Sequence, residues 1–449
     1  MLHRFCLLFL CALPGLGLAS DATAQAPSAE PVALRAVLQE TLQNNPAVAT
    51  AKNDAAIAER NASVGNAGFL PGLSVQARYN ETISDTEQQF QGQDPQDISG
   101  ARTTSSGADA ELSWRVFDGL GGRLATLRRL QAERSAERQR TRATTDQLLT
   151  DAALAYYAVV RAQQQRNVLE ETVSVSEERV RIVELRNEVG SASDLDVRRA
   201  RVDLNADRSA LLRQEAALES AKADLNRVRG RRTTATDFEV TRGIDVDEEL
   251  SIEGIQASLR RANPVLQQAS ATLQAAEHER RALQAQRFPA LDATLGYGVS
   301  RTESESGFVQ ESTTYDLTYG LSLQLPVFTG FDRRRQRQNA QVRIRNAELA
   351  VQDTENELFA ALTQAFAEYQ RRLDVVALET ENLELARANV DVALRQFEVG
   401  DISSIELREV QEQAVRAESD LVSARFQAKQ GELTLREIGG TTQDALPIP

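Results

Sequence analysis

Two histidines, two cysteines and one glycine-rich turn are the residues of this chain that could carry catalysis or hold a metal. Cys6, Cys11 and His3 lie in a segment that reads as a secretory signal. Arg4 gives a short basic start, Phe5 to Leu13 an apolar run, and Ala22-Thr23-Ala24 a small-residue cleavage site before Gln25. Residues 1–24 are therefore expected to be removed as the protein leaves the cytoplasm, and the mature chain holds neither a disulfide framework nor a thiol. Lipid attachment at Cys11 is disfavoured, because Leu10 stands where a small residue is needed. His278 then remains, in the charged helical stretch Gln274-Ala275-Ala276-Glu277-His278-Glu279-Arg280, where a solvated position is the plain reading. No nucleophile turn accompanies it, and one histidine cannot build a metal cluster. Gly119 to Gly122 follows a strand but lacks the lysine and spacing of a phosphate loop. No catalytic, cofactor-binding or metal residue is assigned, and an enzyme is not expected.

Composition points away from chemistry too. A formal net charge of −14 gives no basic excess for nucleic acid. With 26% charged and 5% aromatic residues, the chain reads as long Ala/Leu/Glu/Arg helices. After the signal no apolar run approaches the length of a transmembrane helix.

The elements occur twice. Asn45-Pro46 recurs as Asn263-Pro264, and Phe69-Leu70-Pro71 as Arg287-Phe288-Pro289; Val116-Phe117-Asp118-Gly119 recurs as Val327-Phe328-Thr329-Gly330. Repeat 1 is placed at 25–245, with strands at about 73–83 and 108–116 and long helices at about 122–188 and 194–229. Repeat 2 is placed at 246–440, with strands at about 291–299 and 314–325 and helices at about 333–398 and 403–438; a tail, 441–449, follows. The long segments contain no proline and carry an apolar stripe of helical period: Leu148, Leu149, Ala152, Tyr156 and Val159, matched by Leu358, Phe359, Leu362, Phe366 and Tyr369. Each long helix is expected to reverse at Val-Gly, at Gly190 or Gly400, with Asp194 and Ser404 capping the returning helices. Shorter incoming helices, 46–68 and 264–287, could stack end to end with the returning ones. Residues 230–251 read as a polar connector holding one short strand.

The strand segments alternate strictly. Leu73, Val75, Ala77 and Tyr79 interleave with Ser74, Gln76, Arg78 and Asn80, and the other three segments repeat the pattern. A half-buried soluble sheet is the ordinary interpretation. Strand lengths of nine to eleven residues, aromatic residues near strand ends, and polar loops at 84–107 and 301–312 favour a lipid-facing barrel. Four strands cannot close such a barrel, and an open edge in lipid leaves backbone groups unsatisfied. Two, three or four chains would supply eight, twelve or sixteen strands, and the physics of the strands does not choose.

In these residues the chain resembles the TolC-like outer membrane efflux family over almost its whole mature length. The shared marks are the helix-to-strand Phe-Leu-Pro and Arg-Phe-Pro junctions, the strand-to-helix Val-Phe-Asp-Gly and Val-Phe-Thr-Gly junctions, and the tips Glu188-Val189-Gly190 and Glu398-Val399-Gly400. The resemblance implies a mainly α fold with membrane β: two tandem repeats, each a two-stranded β-hairpin plus a long α-helical hairpin. It implies a homotrimer with a 12-stranded β-barrel in the outer membrane lipid, continued by a periplasmic α-helical barrel. The function implied is a passive exit duct of a tripartite efflux or type I secretion system, docking a periplasmic adaptor and an inner-membrane pump. Family members narrow at acidic positions six and nine residues after the second tip glycine, here Glu406 and Glu409; the first-repeat positions are Asp196 and Arg199. Carboxylate rings there would favour cations. Many drug-efflux relatives carry a basic residue near the tip Val-Gly where this chain has Glu188 and Glu398, and the adaptor expected differs accordingly. The alternative is a soluble periplasmic coiled-coil adaptor or scaffold.

Overall fold

Proline-free runs with a helical apolar stripe dictate long helices, and the computed structural model contains two of them. The structure describes residues 31–446 apart from 90, 93, 242 and 306–308, so the expected signal segment and residues 447–449 lie outside it. The first repeat contains α1 (Leu34–Asn44), α2 (Pro46–Asn61), β1 (Gly72–Gln88), β2 (Gln96–Asp118), α3 (Gly122–Glu188) and α4 (Asp194–Val228). The second contains α5 (Ile252–Ala262), α6 (Pro264–Ala285), β3 (Ala290–Ser304), β4 (Glu311–Gln324), α7 (Asp332–Val399) and α8 (Ser404–Gly439), followed by α9 (Thr442–Ala445). At 1.5 Å per residue, α3 and α7 are each about 100 Å long.

The recurring Asn-Pro has a structural reason. Pro46 and Pro264 open α2 and α6, where a missing N–H costs nothing. The preceding Asn45 accepts from Ala47 N at 2.8 Å and donates to Val228 O, at the end of α4, also at 2.8 Å. Asn263 accepts from Val265 N and Leu266 N and donates to Ile438 O, near the end of α8, at 2.9 Å. One side chain thus caps an incoming helix and ties it to the end of a returning one. The approach is close. A Cβ on Gly230 would stand 2.5 Å from Asn44 O, and one on Gly440 would stand 2.6 Å from Ala262 O.

Around these joints lies the equator, where the apolar stripes are spent. Val37, Leu38, Leu149, Tyr156, Val159, Val160 and Leu225 form one core, and Ile255, Leu259, Leu362, Tyr369 and Leu435 another. Each such aliphatic side chain contributes about 1.5–3 kcal/mol on burial. The 230–251 connector straps this belt. Val240 bridges to Val32 in parallel, Tyr156 donates its hydroxyl to Thr241 O at 3.2 Å, and Tyr369 donates to Asp247 O.

The four strands form one antiparallel sheet in the order β1-β2-β3-β4, so the repeats meet at β2 and β3 and the outer edges are β1 and β4. Leu73, Leu112, Leu295 and Tyr319 stand opposite one another along one rung, and Ser74, Glu111, Gly296 and Thr318 along the next. The strands are longer than their alternation indicates. β1 runs to Gln88 and β2 begins at Gln96, so most of the expected 84–107 loop is strand; the 301–312 loop shrinks likewise, with β3 ending at Ser304 and β4 starting at Glu311. Thr103, Thr104, Ser105 and Ser106 are polar on both faces, which erases the period-two signal without removing backbone pairing.

Candidate functional site

Two regions of the molecule could serve a duct: the hairpin tips and the outward face of the sheet. Both tips are built alike. Gly190 and Gly400 adopt φ of +76° and +85°, and the N–H one residue later returns to the carbonyl five back: Ser191 to Arg186 at 2.7 Å, Asp401 to Gln396 at 2.9 Å. Such Schellman turns favour glycine. Val189 and Val399 project at the apex, 77% and 73% exposed. Glu188 is exposed beside Val189.

The returning helices start at Asp194 and Ser404, and their caps stand one residue earlier than the sequence indicated. Ser193 and Ser403, not Asp194 and Ser404, are the N-caps, because each is followed three residues later by an acid that completes a capping box. Those acids are Asp196 and Glu406. Ser193 N donates to the Asp196 carboxylate at 3.1 Å, and Ser403 N to that of Glu406 at 2.7 Å. The hydrogen bond from the Ser193 side chain holds Asp196 below the usual carboxylate range, and that from the Ser403 backbone does the same for Glu406. Asp194 accepts instead from Asn187 Nδ2 at 3.2 Å. Glu409 is exposed and, three residues beyond Glu406, shares its helix face.

Contacts between the repeats hold the tips together, and no local pattern of residues announces them. The Arg186 guanidinium lies 4.3 Å from the centre of the Phe397 ring and donates to Phe397 O at 3.2 Å. Phe397 packs with Ala393 and Leu407 in a small core. Higher up, Arg408 of α8 donates to both oxygens of Asp207 of α4, at 2.6 and 2.7 Å, and Ser176 of α3 donates to the same carboxylate. Burial pushes Asp207 up, but the hydrogen bonds from Arg408 and Ser176 outweigh it and leave the carboxyl below its ordinary value. Arg408 is pushed up by the same pairing. Ser-x-x-Asp and Ser-x-x-Glu were legible as capping signatures; partners 201 residues apart were not.

At the other end the sheet exposes its apolar face: Tyr319 is 80% exposed and Leu321 75%. The opposite face is polar and carries the pairs Arg78–Asp109 and Arg115–Asp292.

Two long helical hairpins on one four-stranded sheet are matched by the family model described as outer membrane efflux protein, over residues 37–231 and 255–441. The chain belongs to that family. Membership places the protein in the outer membrane, and it sets aside both an enzyme and the soluble-adaptor reading. Among curated relatives, protein CyaE of Bordetella pertussis is 28% identical over 331 residues, 70% of this chain but 65% of its own length. The toluene efflux pump outer membrane protein TtgF of Pseudomonas putida is 25% identical over 379 residues, 81% of this chain and 75% of that protein. In fold the chain is similar to the Campylobacter jejuni CmeC outer membrane channel, with a TM-score of 0.74 at 15% identity over 91% of this chain and 86% of that one.

Proposed function

We propose that this protein is the passive exit duct of a tripartite efflux or type I secretion assembly. Three copies pair β4 of one with β1 of the next into a 12-stranded barrel, and their helices continue as a periplasmic tunnel. The observation that carries the reading is the sheet itself: apolar on one face, polar on the other, and open at both edges, which lipid does not tolerate. The helices repeat the argument, because Leu378, Leu385, Val392 and Val399 are exposed at seven-residue spacing on α7, a seam suited to a neighbouring helix.

Glu406, Glu409 and Asp196 ring the narrow periplasmic end and favour cations. Glu188, Val189 and Gly190 of one tip and Glu398, Val399 and Gly400 of the other meet the adaptor, which couples the duct to an inner-membrane pump. The pump supplies the energy and selects the cargo. In planar lipid bilayers the purified protein should conduct ions with cation preference, and Glu406→Gln with Glu409→Gln should weaken it. Absence of any wild-type conductance would overturn the reading.

A further inference from the structure

Near the sheet the charge of the molecule reverses. The chain as a whole carries −14, yet residues 122–145 of α3 hold seven arginines against two acids, and residues 332–345 of α7 hold six against Asp332. The last turns of α6 and the residues after it add Arg280, Arg281 and Arg287, with no acid beyond Glu279. All three stretches are helix ends that enter or leave the sheet.

Some of these arginines are committed to protein partners: Arg134 to Glu59 at 3.0 Å, Arg343 to Glu279 at 2.6 Å, Arg335 to Asp332 at 2.5 Å. Arg128, Arg287 and Arg334 are exposed, and their guanidinium groups have neither ion pair nor hydrogen bond among the described residues. Each sits beside an exposed apolar side chain. Leu124 is one turn before Arg128, Phe288 adjoins Arg287, and Phe331 is three residues before Arg334.

Phe331 supplies a second observation. Its φ is +62°, where the first repeat has Gly121 at +85°, and a left-handed conformation costs a non-glycine residue about 1–2 kcal/mol. The outcome is a phenyl ring 68% exposed, edge-on to Phe328 at 5.5 Å. The edge-on contact with Phe328 still leaves most of the Phe331 side chain exposed, and a head-group boundary is where an aromatic ring in that position is stabilised. Trp114 marks the same level on the outward face, its indole donating to Phe69 O at 3.0 Å.

We propose that this arginine collar binds the phosphate head groups of anionic phospholipids in the periplasm-facing leaflet of the outer membrane. Arg128, Arg287 and Arg334 supply the free guanidinium forks, which suit phosphate in a way a point charge does not. The proposal rests on the barrel reading of the sheet, since only an outward lipid face brings head groups to this level.

Trp114 is the only tryptophan in the chain, so it reports its own lipid shell. The purified protein is reconstituted in vesicles with brominated phosphatidylglycerol or brominated phosphatidylcholine, and quenching of Trp114 is compared. Wild type should prefer the phosphatidylglycerol by at least about threefold at low salt, and the preference should vanish at about 1 M salt, where the screening length is near 3 Å. Arg128→Gln/Arg287→Gln/Arg334→Gln should lose it at every salt concentration; should that variant not fold, the salt series on wild type decides. Equal quenching by both lipids at low salt overturns the collar while leaving the barrel intact. Quenching by neither lipid overturns the barrel and the collar with it.

Discussion

The equator and the hairpin tips use the same helices in opposite ways. At the equator, α1, α5, the strap and the Asn-Pro joints press onto α3, α7 and α8, and Val37, Leu149, Val159, Leu225 and Leu259 are wholly buried. At the tips two bare hairpins meet, with a core of Ala393, Phe397 and Leu407. Cohesion there comes from Arg186 on Phe397 and Arg408 on Asp207, contacts that can be exchanged one for another more readily than packed methyl groups. The equator is a fixed waist, and the tips form a loosely fastened mouth.

Glycine-to-alanine changes should separate the equator from the tips most clearly. Gly440→Ala sets a methyl against the Ala262 carbonyl at a φ of +67°, so the whole fold should lose about 3 kcal/mol or more. Gly400→Ala has an equally left-handed backbone, but nothing lies within 4 Å of its Cβ, and about 1–2 kcal/mol of local cost should result. Thermal unfolding of the two variants in one detergent checks the difference. Next in size is Arg408→Ala, which leaves the buried Asp207 carboxylate with the Ser176 hydrogen bond but without its cation, at a cost of about 2–3 kcal/mol. That loss should stay near the mouth: amide exchange in the tip-proximal turns of α4 and α8 should rise on the order of 50-fold while α5 and α9 keep their protection.

Acid should act on the two regions with opposite sign. Burial raises Asp146 and Glu437 at the equator above their ordinary 3.8 and 4.5. The folded state then holds those protons more tightly than the unfolded chain, so this side of the equator gains stability as pH falls through the raised values. Asp207 near the mouth is lowered from 3.8, so its contribution is full above that value and is lost as pH falls below it. Exchange measured along a pH series should show the mouth loosening in strong acid after the waist has tightened in mild acid. The smallest effect expected is that of Ser403→Ala, about 1 kcal/mol for a lost N-cap, confined to the first turn of α8.

The waist was largely legible in the sequence and the mouth only in part. Asn-Pro, the apolar stripe around Leu149 and Tyr156, and the alternating strands are local patterns whose physics acts between near neighbours. Ser193 and Ser403 were readable in the same way, through the acid three residues on, but Asp194 and Ser404 have the same cap-forming side chains and stand one place later. The far halves of β1 and β2 escaped because threonine and serine there face both ways. Arg408 with Asp207, and Arg186 with Phe397, join the two repeats, and no spacing rule reaches across that distance.

In the proposed duct the four-stranded sheet borrows strands from sister copies. Native mass spectrometry of the detergent-solubilised, fully folded protein measures this directly. A single species of three chains is the result expected, and a well-folded monomer with its sheet intact would contradict it.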